Sequence, residues 1–312
     1  MHALRKILFV SQALADETEA MKQALSMARN NAAELDGLIV CPSLPGRMAS
    51  HKDSYETSLV AALRQTAATV GSTLGGVPDG ALRTIEVASG KAPAVNVIRH
   101  ALRHGHDLII KQAEPRDGGR GFTAVDMELL RKSHCPLWLS RPIADRRGEM
   151  KVAVAIDPDI TQDNERDLTL RLLRLARALA DDCSGELDIV SCWDFANESY
   201  LRNNPWIRVA PEELAGMVEE ERSGHHRALS GLIEAAGIEG RTRVHHLRGQ
   251  PEKRIPAFVD EEGVDVLVMG TLARTGIPGF IIGNTAENIV QRLSCSVLAL
   301  KPNGFVSPVK AY

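Results

Sequence analysis

Lys6-Ile7-Leu8-Phe9-Val10 and Lys151-Val152-Ala153-Val154-Ala155 decide the reading of this chain, because they open two halves built to one plan. Each run is a lysine followed by four apolar residues. Farther along, Gly105-His106-Asp107-Leu108-Ile109-Ile110 answers Gly263-Val264-Asp265-Val266-Leu267-Val268. The halves also close alike, with Cys135-Pro136-Leu137-Trp138-Leu139-Ser140-Arg141-Pro142 against Cys295-Ser296-Val297-Leu298-Ala299-Leu300-Lys301-Pro302. Between these markers the second copy carries a glycine-bearing loop that the first has lost.

Short apolar runs alternate with segments of helical period. In the first half, strands are predicted at 7–10, 38–40, 82–87, 108–110 and 137–139. Helices are predicted at 18–33, where Met21, Ala24, Leu25 and Ala28 recur at helical spacing, at 55–74, and from Pro93, which suits a first helical turn. In the second half, strands are predicted at 152–156, 187–190, 242–247, 266–269 and 297–300, and helices at 163–180, 212–236 and 251–262. Such alternation demands right-handed crossovers and a parallel sheet. Short, fully apolar strands fit a sheet covered on both faces. The expected fold class is therefore α/β, with two tandem doubly wound parallel-sheet domains at 1–142 and 151–312. A polar linker at 143–150 joins them. The closing strands, 137–139 and 297–300, are expected to pair edge to edge, so that one chain mimics a dimer; further self-association stays open.

Composition narrows the function. The 312 residues carry 37 basic and 40 acidic side chains, a net charge of -3, which disfavours nucleic acid as the partner. No apolar stretch approaches the ~18 residues that span a bilayer. No secretory leader precedes the first strand, so a cytoplasmic location is expected. The 5 cysteines are widely spaced and never in a Cys-x-x-Cys pair, as expected of reduced, buried thiols.

The segment Val268-Met269-Gly270-Thr271-Leu272-Ala273-Arg274-Thr275-Gly276-Ile277-Pro278-Gly279-Phe280-Ile281-Ile282-Gly283-Asn284-Thr285-Ala286-Glu287 runs from a strand's carboxyl end to a helix start. Ligands of open α/β sheets bind at such ends. Gly270 would let the backbone approach a phosphate closely. Gly283-Asn284-Thr285 would present free N–H groups and a hydroxyl, and Arg274 a countercharge. The same residues also read as turn punctuation with Asn284 and Glu287 merely capping a helix. The loop is neither a Walker loop nor a dinucleotide fingerprint.

This loop resembles the nucleotide signature of the universal stress proteins, Gly-x2-Gly-x9-Gly-(Ser/Thr). Gly270 and Gly283 match at the right separation. Ala273 stands at the middle glycine, and Asn284-Thr285 where Ser or Thr is usual. Asp157 matches the acidic residue that contacts the nucleoside in that family. The resemblance spans the chain, including Phe122-Thr123, Asp126 and Leu129-Leu130-Arg131-Lys132, and is nearest the tandem members. It implies duplicated adenine-nucleotide-hydrolase-like domains with flavodoxin-like layering, acting in stress resistance. It further implies ATP, with or without Mg²⁺, in the second half, held by Asp157, Gly270, Thr271, Arg274, Gly283, Asn284 and Thr285. The first half departs from the signature. Gln12 replaces Asp157, and Gln112-Ala113-Glu114-Pro115 replaces Gly270-Thr271-Leu272-Ala273. Thr123 falls near Gly283. Glu114 and Asp117 would repel phosphates, and no ATP is expected there.

Nothing marks a general base or a Ser-His-Asp set, so the chain is at most a slow ATPase. No metal site is expected. His100, His104 and His106 lack a carboxylate in register, and neighbours such as His225-His226 or His245-His246 point apart. Phe122, Trp138, Trp193 and Trp206 motivate the alternative of an apolar-ligand protein or scaffold. The last two, with Phe195 and Tyr200, form either a lid or packing against the other half.

Overall fold

A computed structural model describes residues 4–13, 16–114, 118–143, 150–183, 185–204, 206, 209–271 and 282–312. The first half runs β1 (Lys6–Ser11), α1 (Thr18–Asn31), β2 (Glu34–Cys41), α2 (Lys52–Leu74), β3 (Leu82–Ser89), α3 (Pro93–His104), β4 (Leu108–Gln112), α4 (Ala124–Lys132) and β5 (Leu137–Ser140). The second runs β6 (Val152–Ala155), α5 (Asp163–Asp181), β7 (Glu186–Trp193), α6 (Glu198–Asn203), α7 (Pro211–Ala236), β8 (Arg241–Arg248), α8 (Pro251–Glu262), β9 (Val266–Gly270), α9 (Asn284–Val290) and β10 (Ser296–Leu300). The architecture is α/β, with ten strands in one sheet ordered β3-β2-β1-β4-β5-β10-β9-β6-β7-β8. Each half thus repeats one strand order outward from the middle. Pairing is parallel throughout, except between β5 and β10.

The repeated Gly-x-Asp has a mechanical reason. Gly105 and Gly263 take φ of 67° and 63° after α3 and α8, a left-handed turn that glycine enters without strain. The next N–H groups, of His106 and Val264, close back on Ala101 O and Val259 O at 3.0 and 2.9 Å. The aspartates then pin the sheet. Asp107 accepts from Arg5 N at 2.7 Å and Lys6 N at 3.2 Å, and Asp265 accepts from Lys151 N at 2.8 Å. A strand start that would otherwise fray is held in each half by the same carboxylate.

The two halves meet along β5 and β10, with Val297 opposite Leu139, Leu298 opposite Trp138 and Ala299 opposite Leu137. All six residues are buried. Covering a large apolar side chain is worth about 1.5–3 kcal/mol, so this seam is core rather than rim. Charged groups reinforce it. Lys301 Nζ donates to Leu130 O at 2.7 Å and Arg131 O at 3.2 Å, satisfying carbonyls at the end of α4. Arg131 pairs with Glu287 of α9, and Arg120 with Asp260 at 2.8 Å. After β10 the chain returns to the first half, where Ser307 Oγ donates to Lys132 O at 2.7 Å.

Trp193 departs from the alternatives weighed for it. It is buried in β7 and stacks on His246 of β8, with ring centroids 5.7 Å apart. Two strands, β6 and β9, separate it from the seam, so it packs within its own half. Trp206 is 90% exposed.

Burial pushes the Lys301 ammonium down from its ordinary 10.5 to about 8. Between these values the unfolded chain binds more protons than the folded one, so stability attributable to this group rises with pH. The difference in unfolding free energy between the parent and a Lys301→Met variant, measured by denaturant titration, is expected to move in the parent's favour from pH 7.5 to 9.5. A difference that is flat across this window contradicts the assignment.

Candidate functional site

The carboxyl ends of β6 and β9 enclose a cavity of about 580 Å³ with the starts of α5, α8 and α9. Its floor is apolar: Leu168 and Leu172 from α5, Ile255 from α8, Met269 from β9 and Ile289 from α9. Asp157, Asp159 and Glu165 bring carboxylates to it, and Gly283, Asn284 and Thr285 bring the start of α9. Charged side chains among the described lining residues are all acidic. Glu165 is buried, with Oε2 accepting from Thr161 N at 2.8 Å and Thr161 Oγ1 at 3.1 Å. Asp157 is exposed, and its Oδ1 accepts from Asp159 N at 3.0 Å.

The residues singled out in the sequence divide. Asp157, Gly270, Gly283, Asn284 and Thr285 come together around the cavity. Arg274 lies outside the described residues. Thr271 is buried and turned to the sheet, with its N–H 3.0 Å and its Oγ1 3.2 Å from Leu300 O. Gly270 is small for a reason besides ligand approach. A Cβ there would stand 3.1 Å from Leu168 Cδ2 and 3.5 Å from Leu172 Cδ1, so the bare backbone lets α5 pack on β9. Asn284 is not the N-cap. Gly283 holds that position, at φ -60° and ψ 143°, and as glycine it has no side chain to cap the helix. Glu287 does not close a capping box; it reaches Arg131 of the first half.

The structure gives two residues partners that the sequence did not show. His225, on α7, is buried with Nδ1 2.9 Å from His246 Nε2. Burial, with His225 and His226 nearby, pushes His246 down to about 4. The signal for His225 was present, because it continues the buried face of Leu229, Leu232 and Ala236 at helical spacing. Glu86 is the second. From β3 it meets His100 at 3.5 Å and His104 at 3.8 Å, supplying the carboxylate those histidines lacked in local sequence.

The first half explains its own divergence. Strand register places Lys111 of β4 where Met269 lies in β9, and helix starts place Asp126 of α4 where Ala286 lies in α9. Both Met269 and Ala286 line the cavity. Their counterparts form a buried ion pair, with Lys111 Nζ 2.8 Å from Asp126 Oδ1. Lys111 also donates to Gln112 O at 2.9 Å, and Asp126 Oδ2 accepts from Thr123 Oγ1 at 3.2 Å. An ion pair stands at these positions in one half, and apolar residues that border a cavity stand there in the other.

A model of the universal stress protein family matches residues 3–141 and 150–301, and the chain belongs to that family. Universal stress protein E of Photorhabdus laumondii is 31% identical over 233 residues, covering 73% of this chain and 71% of that one. Universal stress protein E of Escherichia coli K12 is 28% identical, over 72% and 70%. Among solved structures, a functionally unknown protein of Pseudomonas aeruginosa PAO1 superposes with a TM-score of 0.71 at 23% identity, over 97% of this chain and 94% of that one. A universal stress protein of Archaeoglobus fulgidus gives 0.63 at 16% identity, over 96% and 99%.

Removing one member of a buried ion pair strands the other charge. Asp126→Ala is therefore expected to cost about 3–5 kcal/mol of stability. Lys111→Met combined with Asp126→Ala, which installs the second half's residues, is expected to recover most of that loss. Denaturant unfolding of parent, single and double variants checks both, and a double variant no more stable than the single contradicts the pairing.

Proposed function

We propose that this chain is a cytoplasmic stress-response binding protein whose second half holds ATP or a related adenine nucleotide. The observation that carries the reading is the coincidence of two features. The half with the signature-like loop has a cavity at the carboxyl ends of its strands, and the half without it has an ion pair at the equivalent positions. Leu168, Ile255 and Met269 suit the faces of a purine. Asp157, at the rim, suits a ribose or adenine donor. Gly283, Asn284 and Thr285 offer N–H groups at a helix start to phosphate oxygens, and Arg274 supplies a cation from the same loop. Mg²⁺ accompanying the nucleotide offsets the acidic rim.

Domains at 1–142 and 151–312 then have distinct work. The second binds, and the first braces α9 through Arg131 and Glu287, so that occupancy biases the pairing of the halves and the surface offered to partners. Among the described residues no helix is long and apolar enough to cross a membrane. The sequence marks no general base for water, so turnover of ATP is at most slow in this reading. The apolar floor favours one second reading, a cleft for a hydrophobic metabolite.

Isothermal titration of ATP with Mg²⁺ into the parent and a Gly283→Val variant separates the readings. Gly283 has ordinary extended angles that valine adopts, so the variant crowds the cavity without straining the helix start. One site per chain, lost in the variant, is expected. No binding to the parent, with a retained hydrophobic molecule seen by native mass spectrometry, moves the function to the apolar ligand.

A further inference from the structure

We propose that Asp157, Asp159 and His225 bind a divalent transition-metal ion at the lip of the second-half cavity. One carboxylate oxygen from each aspartate and one ring nitrogen of His225 lie within 4.8 Å of one another. Metal–ligand bonds of about 2.0–2.2 Å span donors up to roughly 4 Å apart, so small side-chain adjustments close the set on an ion. The aspartates sit on the turn after β6, and His225 comes from α7, distant in sequence. Adjacent histidines made a poor chelate on paper; this set takes one histidine and draws its other donors from a separate element.

The independent observation is His225 itself. It is 7% exposed, and its Nε2 is buried with no hydrogen-bond partner. An unsatisfied buried polar atom costs about 1–3 kcal/mol, which a ligand at that nitrogen removes. The other ring nitrogen, Nδ1, is 2.9 Å from His246 Nε2. When Nδ1–H donates to His246, the lone pair falls on Nε2. That is the tautomer and the outer hydrogen bond that metal-ligating histidines require.

The donor set states the class of ion. An imidazole with two carboxylates suits Zn²⁺, Mn²⁺ or Co²⁺ better than the all-oxygen shells of Mg²⁺ or Ca²⁺. Three protein ligands leave a coordination position open, as in sites that accept water or an anion. Asp157 and Asp159 also line the cavity, so the ion offsets an acidic rim that otherwise opposes an anionic ligand. The inference stands on this geometry and does not rest on the nucleotide reading.

The test uses the full chain in a His104→Gln background, which weakens the Glu86, His100 and His104 set. Zn²⁺ is titrated against a chromophoric chelator, and Co²⁺ is followed by its visible absorption. One equivalent per chain is expected, with affinity reduced at least about tenfold, the loss that removing even an outer partner produces, in both His225→Asn and Asp159→Asn. Asp159 is exposed, and cooperative thermal unfolding of its variant checks that the fold is kept. Absence of Zn²⁺ and Co²⁺ binding, or affinity unchanged by Asp159→Asn, overturns the proposal.

Discussion

The antiparallel pairing of β5 with β10 is the constraint on which the rest of the molecule depends. Each of these strands ends a parallel sheet and is fully buried, so its outer N–H and C=O groups need a partner. Each supplies the other. The pairing turns ten strands into one sheet and points the strands' carboxyl ends in opposite directions in the two halves. It also sets the end of α4 beside the start of α9, where Lys301 caps the α4 carbonyls and Arg131 meets Glu287. The helix that opens at the cavity is therefore braced by the other copy.

Within that shared frame two positions separate the copies. Lys111 and Asp126 hold each other where Met269 and Ala286 border a cavity. A buried ion pair of this kind adds little net stability over well-packed apolar residues, yet it occupies volume and is costly to break by halves. Such an exchange distinguishes two copies that otherwise share strand order and turns. The strand starts pinned by Asp107 and Asp265 show what both copies kept, which is the mechanics of the sheet rather than the chemistry of the loop.

Much of this was legible before any coordinates. Strand and helix positions follow from apolar runs alternating with helical spacing, and the repeat of Gly-x-Asp marks equivalent turns. The closing strands announced themselves as short apolar runs, and β5 and β10 are hydrogen-bonded to each other. What stayed hidden depends on partners from other elements. Glu287 looked like half of a capping box because Arg131 lies 156 positions away. Thr271 was read only as a phosphate ligand because nothing local shows Leu300 O accepting from it. His225 was set aside for its neighbour His226, when its buried face and its distance from Asp157 and Asp159 are properties of α7 packed in place.

Ligand binding by the second half, as proposed, requires a cavity free of the first half's ion pair. Met269→Lys with Ala286→Asp tests it by grafting that pair into β9 and α9. Nucleotide titration of this folded variant, monitored alongside its melting, is predicted to show binding abolished while cooperative unfolding is retained. Binding at the parent affinity in the grafted protein would contradict the account.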